Sequence, residues 1–280
     1  MENYAVIGHP IGHSKSPMIH NRHFDVVGRE AIYTRYDVKP ENLETAIAAL
    51  QTLGVSGFNV TVPHKVNILP LLDAVDDEAL VIGAVNTVVN RGGKWHGYNT
   101  DGQGYLNGLR EMTGDALGDM SVLVIGAGGA ARAVTTVLAK HGVKRLALSN
   151  RTPSRAFDLQ ANIARFREID VIERSEAIRG LSAFDLIINT TSLGMREGDS
   201  LPMEIEEMKT DVYLSDLIYN PLETRWLQYG KPKARALQNG LPMFIEQAAL
   251  AYEIWTDRRA DRAFMSRMIR EEMETNETNQ

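Results

Sequence analysis

The chain has 280 residues, no cysteine and a formal net charge of −6, which suggests two domains at about 150 residues each and argues against a nucleic-acid backbone as its main ligand. Without cysteine, disulfides, thiolate metal sites and a cysteine nucleophile are excluded, and a reducing cytoplasm is the expected location. The 44% hydrophobic and 24% charged residues are those of an ordinary globular protein; no apolar run reaches the roughly 18 residues of a membrane span, and Met1–Gly8 lacks the charged and apolar regions of a signal peptide.

In chain order, short apolar runs alternate with segments of helical period, the βαβ pattern of a parallel sheet covered on both faces. The expected strands of the first half are Tyr4–Ile7, Ile32–Val38, Gly57–Val62 and Val85–Asn90, the last joined to Trp95–Asn99 by a hairpin at Arg91-Gly92-Gly93-Lys94. A helix at Asp101–Met112 and the polar stretch Thr113–Met120 mark a domain boundary. The second half gives strands at Val122–Ile125, Arg145–Ser149, Leu186–Thr190, Val212–Leu217 and Ala234–Gln238, then a helix at Phe244–Trp255. Glu271–Gln280 reads as a fraying helix end and solvated tail.

Four polar clusters end or follow strands of the first half, where an open α/β sheet places its ligand crevice. In Ser14-Lys15-Ser16-Pro17, Ser16 reads as a helix N-cap ahead of a proline, and its paired hydroxyls at a helix start also suit a substrate carboxylate. In Asn59-Val60-Thr61-Val62-Pro63-His64-Lys65, alternation puts Asn59 and Thr61 on one face and Phe58, Val60 and Val62 on the other. Pro63 is expected to start a helix with Lys65 in its first turn, at the positive end of the helix dipole; that placement opposes protonation and suits a general acid/base, the alternative being a solvated lysine. The third cluster is Asn86-Thr87. The fourth holds Asp101, which reads as a helix N-cap or as a carboxylate partner of Lys65. His9 with His13, and His20 with His23, have metal-compatible spacings but no arranged carboxylate, so no metal is expected.

The strand Val122–Ile125 runs into Gly126-Ala127-Gly128-Gly129-Ala130-Ala131 and a helix. This G-x-G-x-x-A pattern between strand and helix is a dinucleotide turn: Gly126 for the tight bend, Gly128 for the approach of the pyrophosphate, small Ala131 for helix–sheet packing. An NAD site usually ends the following strand with a carboxylate. Here it ends Ser149-Asn150-Arg151-Thr152-Pro153-Ser154-Arg155, with Arg151 and Arg155 as guanidinium partners for a 2′-phosphate, which favours NADP.

At these residues the chain resembles the shikimate dehydrogenase family nearly end to end. Further motifs carry the likeness: Gly8-His9-Pro10-Ile11, Gly83-Ala84-Val85-Asn86-Thr87, Asn99-Thr100-Asp101-Gly102, Asn189-Thr190-Thr191-Ser192-Leu193-Gly194-Met195, Asp216-Leu217-Ile218-Tyr219-Asn220-Pro221, and Asn239-Gly240-Leu241 with Met243, Gln247 and Trp255. The resemblance implies reversible NADPH-dependent reduction of 3-dehydroshikimate to shikimate in aromatic amino-acid biosynthesis, with Lys65 and Asp101 as the catalytic pair. It implies a substrate pocket of Ser14, Ser16, Asn59, Thr61, Lys65, Asn86, Asp101, Tyr219 and Gln247. The implied cofactor residues are Gly126, Ala127, Gly128, Gly129, Ala130, Asn150, Arg151, Thr152, Arg155, Thr190, Ser192, Met195, Ile218, Gly240 and Met243, with Asp77 reaching the same cofactor.

The implied fold is α/β: a substrate-binding and catalytic α/β domain over 1–112, a Rossmann-like doubly wound NADP-binding domain over 113–240, and a C-terminal helical segment, 241–280, returning to the first domain. The implied partners are a small-molecule substrate and no nucleic acid or membrane, for a monomer or homodimer. Gln228–Lys233 is more basic and irregular than the resemblance leads one to expect before the strand at Ala234. Two alternatives stand beside this reading. A quinate/shikimate dehydrogenase using NAD is opposed by the arginine loop and by the Ser14–Ser16 pair; a non-catalytic NADP sensor is opposed by the presence of both Lys65 and Asp101.

Overall fold

A computed structural model describes the backbone of residues 1–278 and the side chains of residues 1–273. The chain divides into two units, Met1–Thr100 with the residues from Ile245 onward, and Asp101–Phe244.

In the first unit the elements are β1 (Glu2–Gly8), α1 (Ser16–Val26), β2 (Ala31–Asp37), α2 (Leu43–Thr52), β3 (Gly57–Val60), β4 (Ala74–Val75), α3 (Asp77–Ile82), β5 (Thr87–Arg91) and β6 (Lys94–Tyr98). They form a six-stranded sheet of order β2-β1-β3-β5-β6-β4. The sheet is mixed rather than wholly parallel: β5 runs antiparallel to both β3 and β6, because the glycine-containing turn between β5 and β6 closes a hairpin instead of a helical crossover. Alternation along β1 splits the core. Ala5 and Ile7 join Leu43, Ile47, Phe58, Val60 and Trp95 under one face, while Tyr4 and Val6 join Phe24, Tyr33, Tyr252 and Trp255 under the other.

The second unit holds α4 (Asp101–Thr113), β7 (Ser121–Ile125), α5 (Gly129–His141), β8 (Arg145–Ser149), α6 (Pro153–Ile163), β9 (Asp170–Val171), α7 (Arg174–Arg179), β10 (Leu186–Asn189), β11 (Val212–Asp216), α8 (Arg225–Gly230) and β12 (Ala234–Gln238). Its sheet, β12-β11-β10-β7-β8-β9, is parallel throughout. Read from β9, this is the 3-2-1-4-5-6 order of a doubly wound dinucleotide fold, with the direction of winding reversing between β7 and β10. Strands buried on both faces explain the near-continuous apolar runs: Val122 and Val124 face the core made with α4, α5 and α6, and Leu123 and Ile125 the core that contains Trp226 and Phe184.

Helix α4, expected at the end of the first domain, belongs to the second unit. Its Tyr105, Leu106 and Leu109 pack with Val134 and Leu138 of α5, and the polar stretch behind it is a short 3-10 segment, Gly114–Asp119, with Leu117 buried in the same core. At the other end, α8 stops at Gly230 and β12 starts at Ala234, so the basic stretch between them is a turn.

Two helices close the chain, α9 (Leu241–Thr256) and α10 (Arg262–Thr278). Arg262 binds Glu246 and Glu253, and Glu272 of α10 pairs with Lys15. The segment expected to fray from Glu271 is helical through Thr278, with Met273 buried; residues 279–280 lie outside the described residues.

Candidate functional site

In the first unit the polar clusters meet at one end of the sheet's strands: the segments after β1, β3 and β6 and the start of antiparallel β5. Five side chains there form a continuous hydrogen-bonded array. The Tyr33 hydroxyl donates to Asn59 Oδ1 at 2.7 Å, with the Ser16 side chain beside it. Asn59 Nδ2 donates to the Asn86 carbonyl and to Thr87 Oγ1, both at 3.1 Å. Asn86 Oδ1 accepts from Thr87 Oγ1 (3.0 Å) and from the Thr100 amide (2.8 Å), and Thr100 Oγ1 donates to the Gln247 carbonyl at 3.1 Å. Asn59, Asn86, Thr87 and Thr100 are all buried. A buried polar array of this size is tolerated only when its members satisfy one another, and it then holds each in a single orientation.

Ser14 and Ser16 stand beside it, with a correction to the expected cap. Lys15 takes the N-cap position of α1, and Ser14 Oγ, not Ser16, accepts a backbone amide, that of Ser16 at 3.3 Å. Ser16 is thereby freed from capping and turns to Tyr33. Thr61 follows the end of β3, tied by its amide to the Ile7 carbonyl at 3.0 Å.

Around Lys65 the expectation of a helix fails. No α-helix begins at Pro63; the segment is a series of turns ending in a 3-10 turn at Leu69–Leu71. The cause is local. His64 turns its ring inward, Nε2 lying 2.6 Å from the Val38 carbonyl, and Pro70 disfavours helical geometry at the residue before it. The helix-dipole argument for Lys65 falls with the helix. Lys65 is instead held by its carbonyl, which accepts from the Val85 amide at 2.8 Å, one residue before Asn86. Val62, expected on the apolar face, is 68% exposed because β3 ends at Val60. Asp101 is 4% exposed and is the first residue of α4 rather than its cap. It follows Thr100 directly in the chain.

In the second unit the expected cofactor residues lie at the C-terminal ends of the parallel strands. Gly126 follows β7 with φ +117°, and a Cβ there would run into Thr190 Oγ1, which itself donates to the Ile125 carbonyl at 2.7 Å. Thr190 follows β10, so the turn sits where the winding reverses. Gly128 is the N-cap of α5, and a Cβ there would meet no protein atom within 4 Å, which leaves the space above the helix start open to a ligand. Ala131 is fully buried against the sheet. After β8, Asn150 Nδ2 donates to the Thr152 carbonyl at 2.8 Å and shapes the loop, from which Arg151 and Arg155 are exposed. Ser192 and Met195 lie on the loop after β10, with Met195 exposed. Gly240 donates its amide to the Ile218 carbonyl at 2.9 Å and is close enough to the Leu217 carbonyl that a side chain would not fit. Tyr219 stacks on Phe244 at 4.8 Å, and burial pushes its hydroxyl up to about 12.

The loop carrying Ile218 and Tyr219 is organised by a carboxylate that sequence reasoning quoted only as part of a motif. Asp216, fully buried, accepts from the Ile218 amide (3.0 Å), Asn189 Nδ2 (3.0 Å) and Thr224 Oγ1 (2.8 Å). Burial outweighs these bonds and raises its pKa from 3.8 to about 6. The folded state therefore binds this proton more tightly than the unfolded chain, so stability falls as pH rises from about 4 to about 6 and the cost is fully present above that window. Asp216→Asn, which cannot ionise, is expected to gain on the parent by roughly 3 kcal/mol across that range, read as thermal unfolding against pH; parallel profiles would contradict it.

Other expected residues stand apart from these groups. Asp77 is exposed in the first turn of α3, in the first unit. His9 bonds Asp37 at 2.7 Å, and His20 is buried with its ring stacked on Tyr33 at 4.5 Å. Among the described residues no group of three or more His, Asp or Glu stands ready for a metal ion, and no helix is long and apolar enough to cross a membrane. Tyr33 is a site-forming residue outside every polar cluster of the sequence, while Thr87 and Thr100 lie within the third and fourth clusters without a role of their own being expected for them.

Comparison with known proteins bears on both units. Residues 6–88 match the shikimate dehydrogenase substrate-binding domain, residues 109–196 the shikimate/quinate 5-dehydrogenase family, and residues 240–267 the shikimate 5′-dehydrogenase C-terminal domain. The chain is 43% identical over 271 residues to the shikimate dehydrogenase (NADP(+)) of Geobacillus sp. strain WCH70, covering 96% of this chain and 98% of that one. It superposes with a TM-score of 0.88 on the shikimate 5-dehydrogenase of Thermus thermophilus in complex with NADP(H) and shikimate, at 35% identity over 97% of this chain and 99% of the other. The quinate dehydrogenase of Corynebacterium glutamicum in complex with NAD gives 0.89, at 31% identity over 96% and 98%.

Proposed function

The chain belongs to the shikimate dehydrogenase family, and from that premise we infer that it catalyses the reversible NADPH-dependent reduction of 3-dehydroshikimate to shikimate, a step of aromatic amino-acid biosynthesis. The observation that carries the substrate side is the polar array from Tyr33 through Asn59, Thr87 and Asn86 to Thr100, with Ser16 beside Tyr33, Lys65 joined to it through the backbone and Asp101 next in the chain after Thr100. Such an array offers several fixed donors and acceptors to a small polyhydroxylated acid.

The residues of the second unit fit NADP. The end of β8 carries no carboxylate to bond a ribose hydroxyl, and Arg151 and Arg155 are exposed there for a 2′-phosphate. When bound, the nicotinamide supplies the hydride. The chain's own task is the proton. Reducing a ketone builds negative charge on its oxygen; the Lys65 ammonium stabilises that charge and delivers a proton to it, and in the reverse direction neutral Lys65 Nζ accepts the hydroxyl proton. Asp101 orients Lys65 and accepts from a neighbouring substrate hydroxyl. Ser14 and Ser16 hold the substrate carboxylate; Thr61, Asn86, Tyr219 and Gln247 complete the pocket, and Asp77 reaches the cofactor. The enzyme works in the cytoplasm, as the absence of cysteine supports, and acts as a monomer or homodimer.

Incubation with NADPH and 3-dehydroshikimate is expected to yield shikimate, identified by NMR; absence of that product would overturn the reading. Arg151→Ala is expected to raise the KM for NADP about tenfold, the order of one lost charge-assisted contact, and to leave the KM for NAD unchanged. Equal losses with both cofactors would remove Arg151 from phosphate recognition.

A further inference from the structure

Tyr33 lies on β2, an edge strand, and comes from none of the polar clusters that mark the site in the sequence. It is nevertheless 1% exposed and held on three sides. The Asn21 side chain clamps its backbone, Nδ2 donating to the Tyr33 carbonyl at 2.9 Å and Oδ1 accepting from its amide at 2.8 Å. The His20 ring stacks on the phenol at 4.5 Å and 14°. The hydroxyl then reaches the side chains of Ser16 and Asn59. An edge-strand backbone pinned by one helical side chain and a ring stacked by the residue before it leave the hydroxyl a single position.

Its effect on Asn59 follows from counting donors and acceptors. Both hydrogens of Asn59 Nδ2 are used within the chain, on the Asn86 carbonyl and Thr87 Oγ1. The Tyr33 hydroxyl takes one acceptor position of Oδ1, and the Asn86 carbonyl, which can only accept, excludes the flipped amide. What Asn59 has left to offer a ligand is the second acceptor position of Oδ1, which calls for a substrate hydroxyl. Ser16, on the other side of the same phenol, is held at the start of α1.

We propose that Tyr33 is a positioning residue for the substrate, one hydroxyl that stands between Ser16 and Asn59 and holds Asn59 Oδ1 in place with one acceptor position left for the ligand. This rests on the reading of Ser16 and Asn59 as substrate contacts. Removal of the hydroxyl loosens both without changing the residues that bind NADP, all but Asp77 of which lie in the second unit.

The test is steady-state kinetics of shikimate oxidation by NADP with Tyr33→Phe, beside Tyr36→Phe, an exposed tyrosine of the same strand. Tyr33→Phe is expected to raise the KM for shikimate about fivefold or more, the order of one lost hydrogen bond in a buried array, with the KM for NADP and the pH profile of kcat unchanged; Tyr36→Phe is expected to match the parent. A purely structural role would lower the unfolding temperature without separating the two KM values. If Tyr33→Phe does not fold, Asn21→Ala, which removes the clamp but keeps the phenol, is expected to give the same selective rise. A folded variant of either kind with the parent's KM for shikimate overturns the proposal. If the parent itself does not oxidise shikimate, the functional reading fails instead.

Discussion

Lys65→Ala is expected to lower kcat for shikimate oxidation by about 10²- to 10⁴-fold, the range of a lost general acid/base. The KM for NADP should stay at the parent value, because the Gly126 turn and the Asn150–Arg155 loop belong to the second unit. The KM for shikimate should change little, since the array from Tyr33 to Thr100 remains to hold the substrate. The substitution is also structurally mild: Lys65 is partly exposed, and its bond to Val85 is made by the backbone carbonyl, which alanine keeps. A drop in kcat with both KM values retained is the signature of an interaction made in the transition state. Near-parent turnover would remove Lys65 from the proton transfer and leave the substrate array without its chemistry.

Gly126→Ala is expected to weaken NADP at least tenfold and to lower the unfolding temperature. A residue at φ +117° has no relaxed conformation with a Cβ, a strain of about 1–3 kcal/mol. The added methyl would also displace Thr190, whose hydroxyl ties the end of β10 to the end of β7. Gly128→Ala separates the two effects. Gly128 has φ −83° and open space above it, so its alanine variant should unfold at the parent temperature and still bind NADP more weakly, because only the ligand occupies that space. Parent-like NADP kinetics in both variants would mean that the dinucleotide does not cross this turn.

These two positions also mark how far the sequence could be read. Everything about the Gly126 turn is local: four apolar residues that must be buried on both faces, then glycines at a spacing that only a close-approaching backbone requires. Asn150–Arg155 is legible for the same reason, being the next strand end. The surroundings of Lys65 are not. The rule that proline starts helices misleads at Pro63, because the outcome depends on where the His64 ring goes, and its partner, the Val38 carbonyl, is 26 residues away. Tyr33 gave no signal, since its partners Asn21 and Asn59 lie 12 and 26 positions off on different elements and a tyrosine on a strand is ordinary core. Helix α4 shows a third limit. Its apolar stripe demands burial against something but does not say what, and the packing of Tyr105 and Leu109 with α5 decides it. The short strands β4 and β9, two residues each, are too brief for any periodicity.

In the proposed function the first unit recognises shikimate while the β8 loop selects NADP. Initial rates of nicotinamide reduction for shikimate and quinate, each with NADP and NAD, test both halves at once. Shikimate with NADP is expected to have the highest kcat/KM, and exchanging either the acid or the cofactor to lower it by at least about tenfold, the discrimination expected when a site built for a polar group loses its partner. Comparable or higher kcat/KM for quinate with NAD would contradict it.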